Sequence, residues 1–150
     1  MGGFAALYCS INHDEITNVA SFAGFNSGAF GEILEKNKMI YDYSTETIQP
    51  AIQLVSGTTA EKLLNEYISK KNEWNLLNHM EKLSGKNLLL IGAKYDMIAP
   101  IDLHHKPLVE QLESRKSKLE SYILETGHSF SDGRIKLSKL ISGWLYKIII

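Results

Sequence analysis

The chain has 150 residues, enough for one compact domain, and its 44% hydrophobic content supports a buried core. Sixteen basic against seventeen acidic residues leave a net charge of −1, which excludes the general attraction to nucleic acid or anionic membrane that basic proteins show. One cysteine, Cys9, excludes an internal disulfide and fits a reducing, cytoplasmic setting; no leader pattern opens the chain, and its apolar runs at 88–93 and 148–150 are far too short to span a bilayer.

Residues 2–10 (GGFAALYCS) are small and apolar, as in a helix packed hard on a sheet, and residues 16–22 (ITNVASF) read as a buried strand. Thr58 and Glu61 have capping-box spacing, which predicts a helix with Thr58 as N-cap and Leu63, Leu64, Tyr67 and Ile68 on one face. Residues 74–83 carry Trp74, Leu77 and Met80 at helical spacing, with Gly85 just beyond as a stop. Residues 87–92 (NLLLIG) form a near-continuous apolar run, as expected of a parallel strand covered on both faces. An amphipathic helix is predicted over 107–116, a third strand over 119–125, more alternating and so closer to an edge, and a last helix over 135–146.

This rhythm predicts an α/β fold in which three parallel strands, joined by right-handed crossovers, are flanked by helices. The stretch 27–86 exceeds what one crossover needs and contains several helical patterns, so it reads as a helical cap inserted within a single domain spanning 1–150. Tyr41, Tyr43, Tyr67 and Trp74 serve either as the core of that cap or as the lining of a substrate pocket.

Ligands in open parallel sheets bind at the carboxyl ends of the strands. Asp96 follows the second strand and His128 the third, so neighbouring strands would bring an acid and an imidazole to one edge. Asp102 and Asp132 are competing acids, with Asp132 read as a cap of the last helix. His104 and His105 would point to different helix faces, and no metal-binding spacing appears, so no metal is expected. Cys9 and Ser10 lie two turns into the first helix and are expected to be buried; Ser129 and Ser131 flank His128 too closely to be its nucleophile. The run RKSK at 115–118 reads as the solvated end of a helix.

The segment LLLIGAKYDMIAP resembles the acid loop of α/β-hydrolases, and ETGHSFSDGRIKLSKLISGWL resembles their histidine loop and closing helix, in the family's order. MGGFAAL is similar to the tail of a nucleophile elbow, in which the serine directly precedes the methionine. The acid and histidine loops look most like those of prolyl-oligopeptidase-type or small esterase-like hydrolases. The resemblance covers the chain except its cap. It implies the last three strands of an eight-stranded hydrolase sheet, here without its serine and thus inactive alone. It further implies hydrolysis of an ester, thioester or amide through an acyl-enzyme, with no cofactor, His128 as base and then acid, Asp96 as its orienter, and the Met1 backbone N–H as an oxyanion donor. The partners implied are a small-molecule or peptide acyl substrate and a separate N-terminal half, with no nucleic acid and no membrane. The competing expectation is a non-catalytic binding module that reuses the fold.

Overall fold

The computed structural model describes residues 2–52, 54 and 56–150. The chain divides into two compact units, Met1–Phe25 with His79–Ile150, and Asn26–Asn78.

The first unit contains α1 (Gly2–Asn12), β1 (Asn18–Phe22), α6 (Met80–Ser84), β2 (Asn87–Ala93), α7 (Ile101–His104), α8 (Lys106–Ser114), β3 (Lys118–Leu124) and α9 (Arg134–Ile149). Its three strands form one all-parallel sheet in the order β1-β2-β3, with Asn18 opposite Asn87 and Asn87 opposite Lys118. The apolar run LLLI takes the centre because it alone can be buried on both faces. Leu89 and Ile91 join Ala93, Leu124, Phe130 and Trp144 of α9 in one core cluster. Leu88 and Leu90, by the two-residue period of a strand, face the other way, and all four are at most 2% exposed. Each such side chain contributes about 1.5–3 kcal/mol of burial free energy.

The amino end of α1 is pressed onto the carboxyl end of β1. A Cβ on Gly3 would lie 2.9 Å from both the Phe22 carbonyl oxygen and the Gly24 Cα, so only glycine lets the two backbones meet, whereas one on Gly2 would meet nothing within 4 Å. The Ser21 hydroxyl donates to the Gly3 carbonyl at 3.0 Å and ties the same junction. Further along α1, Ser10 is buried as expected, but Cys9 is exposed, because its position on the helix turns it away from the sheet.

The second unit contains α2 (Ser27–Lys36), α3 (Lys38–Ile52), α4 (Ala60–Ser69) and α5 (Lys71–Trp74). Here α2 passes so close to its neighbours that a Cβ on Gly31 would sit 2.2 Å from the Tyr67 carbonyl oxygen. Phe30, Tyr67 and Trp74 form an edge-to-face chain with centroids 5.7 and 5.8 Å apart, so two of the expected aromatics pack within this unit, while Tyr43 is 69% exposed.

Three local expectations are corrected. The N-cap of α4 is Thr59, in extended backbone, whose hydroxyl accepts from the Lys62 N–H; the box from Thr58 to Glu61 does not form. The helix expected over 74–83 is broken at Asn75, which leaves helical geometry to place its buried amide between Asn26 and Glu32. α9 is capped by Gly133 and not by Asp132, because the Asp132 carboxylate instead accepts the Thr126 hydroxyl.

Candidate functional site

The parallel ladder between β2 and β3 continues past both strands and into the loops that follow. Lys94 N–H donates to the Leu124 carbonyl at 2.8 Å, and Tyr95 N–H to that of Thr126 at 3.0 Å. The next residue on one side is Asp96, and two residues on along the other is His128. The ladder therefore delivers an acid and an imidazole to the same sheet edge with their backbones already in register.

There Asp96 Oδ2 and His128 Nδ1 lie 2.8 Å apart. The other carboxylate oxygen, Oδ1, accepts from the N–H groups of Ile98 and Ala99, each at 2.8 Å, so one short turn holds it while the histidine takes its partner. The Asp96 side chain is fully shielded from solvent and that of His128 is 35% exposed, so the carboxylate sits beneath an imidazole that reaches the surface. Burial pushes the Asp96 carboxyl up, but the Ala99 N–H, the His128 ring and the Ile98 N–H together outweigh burial and hold it below the ordinary carboxylate range. The acid is thus an anion placed to accept an N–H from His128 Nδ1, so that it orients the imidazole through that nitrogen. Among the described residues no hydroxyl or thiol hydrogen-bonds the other ring nitrogen, Nε2.

The histidine loop is braced from within. Thr126 holds Asp132, Phe130 N–H donates to the Gly127 carbonyl at 3.0 Å, and Gly133 N–H to that of Phe130 at 3.0 Å. Phe130 reaches the core only by adopting a left-handed backbone with φ of 53°, a conformation that costs a non-glycine residue about 1–2 kcal/mol. Such strain is retained where the surroundings over-determine it, and here it aims the loop.

The remaining candidates fall into supporting places. Pro100 opens α7 directly beyond the acid turn, and His104, buried on that helix, packs against Phe25 with ring centroids 4.3 Å apart and planes tilted by 30°. His105 packs over Gly92, whose Cβ would come within 3.0 Å of the ring, and shares a 3.1 Å hydrogen bond with Ser121. Burial lowers the pKa of each to about 4, with the nearby Asp96 partly offsetting the shift at His104, so both are neutral at physiological pH. Asp102 is spent on a surface pair with Lys106, and Ser129 and Ser131 hydrogen-bond each other. Met1, the expected oxyanion donor, lies outside the described residues. Among the described residues no group of three or more His, Cys, Asp or Glu side chains could hold a metal ion, and no helix is long and apolar enough to cross a membrane. The Ile98 and Ala99 donors and the contact of His104 with Phe25 are not legible in the sequence. The proline four residues after Asp96 was the one available signal for the former.

No protein-family model matches the chain, and no curated protein matches it significantly in sequence.

Proposed function

We propose that this chain supplies the acid and base of a serine-hydrolase triad on a partial α/β-hydrolase fold, for cleavage of an ester, thioester or amide through an acyl-enzyme. The observation that carries the reading is the 2.8 Å contact of a buried Asp96 with His128 Nδ1, which leaves Nε2 outward at the carboxyl edge of adjacent parallel strands. A second feature supports it. The amino end of α1 lies against the carboxyl end of β1, two strands or about 10 Å from the histidine strand, so the start of α1 is at the same edge of the sheet as the Asp96–His128 pair.

In this reading a serine outside the described residues attacks the substrate carbonyl carbon while His128 Nε2 takes its proton. Asp96 stabilises the imidazolium that results. As the tetrahedral intermediate collapses, that proton passes to the departing alcohol, thiol or amine, and the acyl group stays on the serine oxygen. Water then gives a proton to His128 as it attacks the acyl carbon; the acid leaves and the serine recovers its proton. The sum is addition of one water across one acyl bond, and no electrons change hands.

The absence of a hydroxyl or thiol bonded to Nε2 among the described residues favours a second reading, a binding module that keeps the pair for stability alone. One experiment separates the two. Fluorophosphonate labelling and activated-ester hydrolysis are measured on the chain as it stands, and on the chain extended by its directly upstream coding sequence. The hydrolase reading expects labelling only of the extended protein, with turnover reduced by at least about a thousandfold in His128→Ala. An upstream stop codon with no Gly-x-Ser in any frame, or full turnover in His128→Ala, overturns it.

A further inference from the structure

His104 and His105 stand side by side where α7 joins α8, and the acid–base pair does not use them. A four-residue helix such as α7 is too short to hold its own place, so its position is set by what its side chains touch. Its one buried residue is His104, where an apolar side chain would bury at less cost. Successive side chains on a helix diverge by about 100°, so the two rings reach different parts of the sheet. His104 packs against Phe25, in the loop that follows β1. His105 lies over Gly92 of β2, and its ring shares the 3.1 Å hydrogen bond with Ser121 of β3. The dipeptide therefore ties α7 to all three strands or the loops that leave them. The other end of α7 is the acid turn itself. Pro100 is the N-cap, and its carbonyl accepts from the Leu103 and His104 N–H groups at 3.1 and 3.0 Å. Ala99, buried just before it, donates to Asp96 Oδ1 at 2.8 Å. A shift of α7 therefore moves the donor that fixes Oδ1, and with it Oδ2 on His128. Hydrogen-bond lengths tolerate only about half an ångström, so a small shift breaks the pair.

Resting on the acid–base reading above, we propose that His104 and His105 are positioning residues for the Asp96–His128 pair, anchoring α7 so that the acid turn stands where His128 meets it. Neither ring touches His128; both act through the backbone of α7 and the Ala99 N–H. The local turn bonds fix the carboxylate relative to Ile98 and Ala99, but only the far end of α7 fixes that turn relative to the sheet. Burial keeps both rings neutral at physiological pH, so the brace sets no cation beside Asp96 to compete with His128 for its charge.

The test uses the chain itself. Ring 15N–1H correlation spectra at about pH 8, above the ordinary histidine range, read the tautomer of His128, and Asp96→Asn supplies the signature of a broken pair. The proposal expects His104→Ala and His105→Ala, each folded by circular dichroism, to move the His128 ratio from Nδ1–H toward Nε2–H by about tenfold, the weight of one charge-assisted hydrogen bond. His105→Gln, which can keep the bond to Ser121, should retain the wild-type ratio. So should Ile11→Val, a buried change at the far end of α1 that lowers stability alone. Where an alanine variant fails to fold, Phe25→Leu and Ser121→Ala loosen the same two contacts from the other side and should give the same shift. A wild-type ratio in either alanine variant, with Asp96→Asn shifted, overturns the positioning role of that residue and leaves the acid–base reading standing. No shift in Asp96→Asn overturns that reading and the proposal with it. A shift in Ile11→Val as large as in the alanine variants, or His105→Gln that behaves as His105→Ala, reduces the histidines to general packing and overturns the proposal.

Discussion

Asp96 shows how one side chain is made to do two jobs. Oδ1 closes the turn through Ile98 and Ala99, and Oδ2 orients His128. Asparagine can do only the first, since its NH2 group, turned toward His128, must find an acceptor. In Asp96→Asn the turn should survive, the histidine should swap to the Nε2–H tautomer, and stability should fall by about 1–2 kcal/mol; 15N shifts of the ring and a urea melt read both effects. Because the folded carboxyl is held below its usual range, the stability it contributes is present above the unfolded pKa near 4 and is lost as pH falls through the folded value. His104 and His105 act over a higher window. Both are lowered from 6.5 to about 4, so between those values the unfolded chain binds protons that the native one refuses. Stability should accordingly be full above about pH 6.5 and decline to a plateau near pH 4, by up to roughly 3 kcal/mol per histidine. His105→Gln, which can keep a hydrogen bond to Ser121 without titrating, should flatten that decline in melts taken across the window; an equally steep curve would show that His105 charges freely in the native state.

At the level of elements, contact between α1 and β1 is set by a single missing methyl group. Gly3→Ala must push α1 off the Phe22 and Gly24 backbone, at about 1–3 kcal/mol, whereas Gly2→Ala meets nothing and should be neutral or gain a few tenths from helix propensity. Paired thermal melts of the two variants check this, and equal melting temperatures would show that the junction is loose. The same elements show what sequence reveals and what it hides. β2 was legible because LLLI has no other place to go, and the acid and histidine were legible because each directly follows a strand whose register with its neighbour extends into the loop. What was hidden depends on partners far along the chain. Nothing near Asn75 announces a helix break, since its cause is the Asn26 side chain, and Asp132 cannot be told from a helix cap until Thr126 is seen to hold it. Thr58 and Thr59 are both competent caps, and only the extended backbone at Thr59 decides between them.

At the scale of the whole molecule, the sheet is a three-stranded one whose two outer edges are defended unequally. β3 opens with Lys118 and carries Glu120, paired with Lys147 at 2.8 Å, so charge guards that side. β1 (NVASF) has neither charge nor proline, and no strand among the described residues pairs with its outer edge. Such an edge is a template for another strand. The ladder fixes which groups are open: Ala23 N–H and the Thr17 carbonyl point to β2, so by the two-residue period Asn18 and Ala20 present theirs outward, while the Phe22 carbonyl on the same side lies against Gly3 of α1. The purified chain should therefore associate as its concentration rises, by strand addition at β1. Proline at position 20 removes one outward donor and leaves the inward ladder whole, so Ala20→Pro should shift the association to higher concentration while preserving the far-ultraviolet circular dichroism of the wild type. Size-exclusion chromatography with light scattering over a dilution series reads the result. Wild-type protein that stays monomeric throughout, or an Ala20→Pro variant that associates as readily as wild type, would show that the outer edge of β1 is not the surface that joins.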